Sequence, residues 1–344
     1  MQNAAMRDLT PGKLPAERLE AMLAALPRRD PRVLIGPKPG EDAAVIDMGG
    51  GRCLVVTTDP ITFATDRIGS YAVHVNANDV AVMGAAPRWL FLVLLLPAGR
   101  ANAALLDAIV SDAVRACESL DVTLCGGHTE ITQGIDRPIV VAQMIGEVER
   151  TRLVSKGSLR PGDAVILAGA AATEGTAILA RERREELGGT LPAALLDRAA
   201  GFLDDPGISV VRAALAAAAT GVVRAMHDPT EGGIVTGLLE LCGTAGLGIA
   251  VDGDRIPVRP ETRAICDVLS VDPLRLIASG ALLAAADPGH ASLVIDTLLS
   301  LSIPAAAVGK IREVSDGRVI TLGGRTEPLE LPARDEIARL FDQA

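Results

Sequence analysis

A chain of 344 residues exceeds one ordinary core and suits two domains. It is 49% hydrophobic but only 2% aromatic, so Ala, Val, Leu and Ile must build the core, which argues against aromatic platforms for single-stranded nucleic acid. A formal net charge of −10, without long runs of Lys or Arg, argues against a duplex-binding or anionic-membrane surface. Neither nucleic acid nor membrane is therefore expected as a partner.

The first segment with helical spacing carries Leu14, Leu19, Met22 and Leu23 and stops at Pro27. A Gly/Pro-rich loop follows, then strands near Ala43–Asp47 and Cys53–Thr57. A helix is expected over Ile68–Gly84 and a buried strand over Trp89–Leu96. The apolar run Trp89 to Pro97 is too short to span a bilayer. An amphipathic helix over Ala103–Leu120 and strands at Val122–Cys125 and Ile139–Val148 complete this half. The charged, Gly/Pro-containing stretch Glu149–Gly162 marks a boundary.

Beyond it, "GDAVILAG" reads as a strand, "EGTAILARERREEL" as one helix and "ISVVRAALAAAA" as another. "HDPTEGGIVTGLLELC" reads as a helix and "GLGIAVDGDRIPV" as a strand. Then come a helix at Pro260–Leu269, a strand at Ala281–Ala286, a helix at His290–Leu301, a strand at Ile303–Val308 and a terminal helix at Arg334–Phe341. Strands and helices interleave throughout, which predicts an α/β or mixed α+β fold. Five cysteines, with no C-x-x-C pair, predict free thiols in a reducing cytoplasm.

Five acidic residues sit beside glycine or at the end of an apolar strand: Asp42, Asp59, Asp79, Glu130 and Asp228. Carboxylates on short turns suit Mg²⁺, which bridges proteins to phosphates, and glycines admit phosphate oxygens to backbone N–H groups. Each residue also has an ordinary reading. Asp42 suits a turn, Asp59 a strand end, and Asn78 with Asp79 a solvated helix face. Asp228, Pro229 and Glu231 fit N-cap, N1 and N3 of a capping box, worth roughly 1 kcal/mol. Gly232 and Gly233 are not explained by a cap, and predict that something approaches the backbone closely. His74, His128 and His227 lie beside acidic motifs and are candidates for proton transfer. A Walker loop and a G-x-S-x-G elbow are absent.

In this order, "GEDAAVID", "VVTTDP", "VNANDVAVMGAAP", "RPGDAVILAG", "HDPTEGGIVTGLLEL" and "DPLRLIASGALLAA" resemble the aminoimidazole ribonucleotide (AIR) synthetase-like superfamily. Within it they resemble most the hydrogenase expression/formation (HypE-like) branch. The resemblance implies a two-domain fold: an N-terminal helical segment over 1–36, a sheet domain that dimerises over 37–150, and a C-terminal α/β sandwich over 151–344. It also implies ATP and Mg²⁺ as cofactors and a homodimer acting on a small-molecule substrate. Asp42, Asp59, Asp79, Asp228 and Glu130 would hold the metal. Gly40, Asp42, Asn78, Gly126, Gly127, Thr230, Gly232 and Gly233 would line the nucleotide.

The implied activity is phosphorylation of a carbonyl or amide oxygen by a synthetase-like enzyme. A maturation factor, a non-catalytic nucleotide-binding partner of another protein, and a thiamine-monophosphate-kinase-like phosphotransferase are the alternatives. His128 stands where family members commonly carry an acid. The last cysteine is Cys266, so carriage of substrate on a C-terminal cysteine is not expected.

Overall fold

A computed structural model of the chain describes residues 14, 16–27, 30–62, 66–331 and 336–341. The expected terminal helix begins at Arg334 and Asp335, which lie outside the described residues, as does Pro15 of the first helical segment.

Two sheets organise the molecule. The first contains β1 (Val33–Ile35), β2 (Ala44–Gly49), β3 (Arg52–Ile61), β4 (Ala86–Pro97), β5 (Thr123–Thr132) and β6 (Ile139–Glu149). Their order is β1-β2-β3-β6-β4-β5, antiparallel except for the β4–β5 pair. The second contains β7 (Ala164–Ala168), β8 (Val223–His227), β9 (Gly248–Asp252), β10 (Leu282–Ala286), β11 (Ala305–Arg312), β12 (Arg318–Leu322) and β13 (Arg325–Pro328). It is ordered β13-β12-β9-β11-β7-β10-β8.

The described helices are α1 (Ala16–Ala24), α2 (Ile68–Val82), α3 (Ala103–Leu120), α4 (Thr173–Glu182), α5 (Arg184–Gly188), α6 (Ala193–Ala200), α7 (Val211–Ala219), α8 (Gly233–Thr244), α9 (Pro260–Leu269), α10 (Ala291–Ser300) and α11 (Glu336–Phe341). The chain is thus a mixed α/β protein with two sheet-based halves.

Strand periodicity explains the central packing. On β7, Ile166 and Ala168 enter one apolar cluster while Val165 and Leu167 enter another on the opposite face. The same alternation holds on β10, where Ala284 faces one side and Leu283 and Ala285 the other. A strand buried on both faces reads as a continuous apolar run, which is how this segment reads in sequence.

Helix α2 is buried nearly all round. It packs on β3 and β6 of the first sheet and also against α7 and β8 of the second half. Ala72, Ala77 and Ala81 keep these layers close. Gly69 lets α3 cross next to it, because a Cβ there would lie 2.1 Å from the Ile109 carbonyl oxygen.

Several expectations need correction. The single helix expected over "EGTAILARERREEL" is two, α4 and α5, interrupted at Arg183. β1 lies where a loop is expected. The strand expected at Val122–Cys125 runs on to Thr132 as β5, because its glycines pair with β4 rather than turning the chain. The helix expected to start at Asp228 starts at Gly233 instead, with Gly232 as its N-cap in the left-handed region at φ 76°. No side-chain hydrogen bond caps it, so the capping box does not form.

Candidate active site at the junction of the two halves

The site assembles at the ends of short elements. Asp42 precedes β2, Thr57 and Asp59 lie on β3, Asp79 on α2, and His227 and Asp228 at the end of β8. Lys156 joins them from a single 3₁₀ turn that follows the first sheet, where the Ser155 hydroxyl oxygen accepts the Gly157 N–H.

Asp42 faces a basic group through each carboxylate oxygen. Its Oδ1 lies 2.6 Å from His227 Nδ1 and its Oδ2 lies 2.7 Å from Lys156 Nζ. The Lys156 ammonium also donates to the Gly40 carbonyl oxygen and lies 3.1 Å from His227 Nδ1. On the far side of the ring, His227 Nε2 lies 2.9 Å from Glu240 Oε2 on α8. Burial would raise the Asp42 carboxyl, but Lys156 and His227 outweigh it and hold it at about 2. Burial and the Lys156 charge oppose protonation of His227, yet Asp42 and Glu240 overcome them and lift it to about 9. His227 therefore faces a carboxylate across each ring nitrogen, Asp42 at Nδ1 and Glu240 at Nε2.

Asp228 is the opposite case. It is buried, and neither carboxylate oxygen has a hydrogen-bond partner among the described residues. Burial, then the Asp42 charge, push it up to about 8. Asp79 is also buried and is held well above the usual carboxylate range by burial, then by the charges of Asp228 and Asp59 and a hydrogen bond with Asp59. The Thr57 hydroxyl lies 3.0 Å from Asp79 Oδ2 and 3.1 Å from the Asp42 carbonyl oxygen. Asp59 is fixed through its N–H, which donates to Asn76 Oδ1 at 2.9 Å.

Crowded, under-neutralised carboxylates of this kind need a cation. Ligand atoms of Asp42, His227 and Asp228 lie within 4.8 Å of one another. The unpartnered oxygens of Asp228 fit a hard divalent ion such as Mg²⁺. Four of the five expected acids thus converge.

Glu130 does not join this group within the chain. It lies with His128 on β5, where the two exposed side chains pair at 3.7 Å. His74 is half-buried with an unpartnered Nδ1. Its charged neighbours are Arg67 and Asp204 rather than the acids, and burial lowers it to about 4.

The expected nucleotide-lining residues divide. Gly40 presents its carbonyl to Lys156, and its φ of 79° and a Cβ distance of 2.5 Å to Thr244 Oγ1 require glycine. Asn78 is committed elsewhere: it donates to the Ile208 carbonyl at 2.9 Å and accepts the Val210 N–H at 2.8 Å. What approaches Gly233 is the chain itself, since a Cβ there would lie 2.6 Å from the Leu274 carbonyl oxygen. The Thr230 carbonyl receives the Gly233 and Ala278 N–H groups. Gly127 fits tightly against β4, with a Cβ position 1.7 Å from the Leu92 carbonyl oxygen, whereas a Cβ on Gly126 would meet only the Phe91 ring.

A cavity of about 1090 Å³ lies behind the Gly40 loop and is lined by Lys38, Gly40, Glu240, Thr244 and Arg318 among others, but by none of the four aspartates. Lys156 and Glu240 were not legible as site residues. The usable signal for Lys156 is rarity: the chain has four lysines, Lys13, Lys38, Lys156 and Lys310, among 33 basic residues.

Comparison with known proteins identifies both halves of the chain. The AIR synthase related N-terminal domain matches residues 40–148 and the corresponding C-terminal domain matches residues 160–321. The chain belongs to the AIR synthase related family. Carbamoyl dehydratase HypE of Cupriavidus necator is 30% identical over 290 residues, covering 82% of this chain and 79% of that protein. The crystal structure of hydrogenase maturation protein HypE in complex with ATP superposes with a TM-score of 0.71 at 23% identity, covering 93% of this chain and 91% of that one. Thiamine monophosphate kinase from Aquifex aeolicus gives 0.66 at 18% identity, covering 83% and 92%. The expected superfamily, branch and enzyme class hold, and at these identities the two structures speak for the fold alone.

Proposed function

We propose that the chain is an ATP- and Mg²⁺-dependent enzyme that phosphorylates a carbonyl or amide oxygen of a small molecule. The observation that carries this reading is Asp228, a buried carboxylate with two unpartnered oxygens among Asp42, Asp59 and Asp79. Bound Mg²⁺ would neutralise the triphosphate and the charge that develops during phosphoryl transfer. The chain's own part is positional. Asp228, Asp79 and Asp59 would hold the ion, while Thr57 orients Asp79 and Lys156 with His227 balances Asp42. Phosphorylation would turn the acceptor oxygen into a leaving group, which suits ring closure or dehydration.

The dehydratase named among the relatives favours dehydration over phosphate-to-phosphate transfer. Product analysis separates them: free phosphate with loss of water supports the first, and a diphosphate product supports a kinase.

A homodimer belongs to the same reading. Strand β5 is a sheet edge exposed along nearly its whole length, with Leu124 and Ile131 among its exposed side chains. A second copy pairing there would cover this edge and change the surroundings of His128 and Glu130. Isothermal titration with Mg–ATP, followed by phosphate-release assays on Asp79→Asn, tests the core claim. Nucleotide binding in the wild type and strongly reduced turnover in a folded variant are expected. Unchanged turnover would remove the acids from the mechanism.

A further inference from the structure

We infer that Lys156 is a built-in cation occupying one metal position of the acid cluster, so that Asp42 is neutralised by the chain and divalent ions are confined to the Asp228 side. The inference rests on the reading of the cluster as a cation site.

The geometry divides the ligands into two sets. Asp42 spends one oxygen on His227 at 2.6 Å and the other on Lys156 at 2.7 Å. The Lys156 ammonium thus already stands where a cation would meet Asp42 Oδ2. Asp228, whose ligand atoms lie within 4.8 Å of those of Asp42 and His227, spends neither oxygen among the described residues. His227 faces Asp42 through Nδ1 and Glu240 through Nε2. A metal ion at the Asp42 end would have to displace an ammonium that is only 1% exposed.

The residue type fits this role. An ammonium is a compact point charge, whereas a guanidinium is a wide planar fork. The chain uses arginine at 29 of its 33 basic positions, yet places lysine here. Gly40 completes the seat by offering a carbonyl oxygen, the type of donor that a hard cation would also take. Ser155 fixes the turn from which the lysine enters.

The test uses the full chain, Mn²⁺ as the probe and no nucleotide. Bound ions are counted by the loss of the free Mn²⁺ resonance, and imidazole ligation is read from nitrogen coupling in pulsed electron paramagnetic resonance. In the wild type, bound Mn²⁺ is expected to show no imidazole coupling. Lys156→Met is expected to bind one ion more than the wild type, the added ion replacing the ammonium beside Asp42. Equal ion counts in the two folded proteins, or imidazole coupling already present in the wild type, overturn the inference. If Lys156→Met does not fold, the wild-type spectrum decides alone. A count that rises in Lys156→Met while neither protein binds Mg–ATP would sink the nucleotide reading and leave this inference standing.

Discussion

The Asn78 side chain ties the two halves together, accepting the Val210 N–H at 2.8 Å while donating to the Ile208 carbonyl at 2.9 Å. It is wholly buried in α2, next in sequence to the site residue Asp79. Asn78→Ala leaves two buried backbone groups without partners. The expected cost is about 2–5 kcal/mol, read as a lower denaturation midpoint in urea. A loss under about 0.5 kcal/mol would show that the link is not structural.

Asp228→Asn should act in opposite directions with and without ligand. In the free protein it removes a buried carboxylate that lacks partners, so stability should rise by about 1–3 kcal/mol. The thermal stabilisation conferred by Mg–ATP should vanish in the same variant. Loss of stability in the free protein, with ligand stabilisation intact, would contradict a cation role for Asp228.

His74 should make the fold acid-sensitive. Burial holds it at about 4, against an ordinary value of 6.5. Between these values the unfolded chain binds a proton that the folded chain does not. Stability contributed by the neutral ring is therefore lost as pH falls from about 6.5 toward 4, by up to about 3 kcal/mol. His74→Gln should flatten that part of the stability profile, measured by urea melts at several pH values. An unchanged slope would place the acid sensitivity in other groups.

The β5 edge gives a test of assembly. Ile131 is 65% exposed on that strand. Light scattering should find a dimer in the wild type and a shift to monomer in Ile131→Lys, because a charge on an edge strand opposes pairing. A wild-type monomer at working concentration would remove the dimer from the proposed site.

Much of this was legible in the sequence because local signals were strong. The apolar runs around Trp89 and Leu282 and the spacing of α3 fix strands and helices without tertiary help. The acids showed themselves by sitting in glycine-flanked turns. Capping logic failed at Asp228 because its residue types suit two jobs, and tertiary contacts chose the second. Gly233, pressed against the Leu274 carbonyl, moves the helix start downstream and frees the carboxylate. Lys156 stayed hidden because nothing within "VSKGSLRPGD" records that Asp42, over a hundred residues earlier, is its partner. Strand β8 and the β12–β13 hairpin carry no such signal, because polar and charged residues interrupt "VRAMH", "RVITL" and "RTEP", whereas the equally short β7 and β10 are unbroken apolar runs.

One apolar cluster runs from Val55 and Met144 in the first sheet, through α2, to Ala214 on α7 and Ala284 on β10. The stretch Glu149–Gly162 looks like a seam in the sequence, yet the two halves share an interior. A chain severed there would leave each fragment with a bare wall of alanine, valine and leucine and no material of its own to cover it. Such fragments should behave as pieces of one melting unit rather than exchangeable modules, and mixing them should restore what neither holds alone.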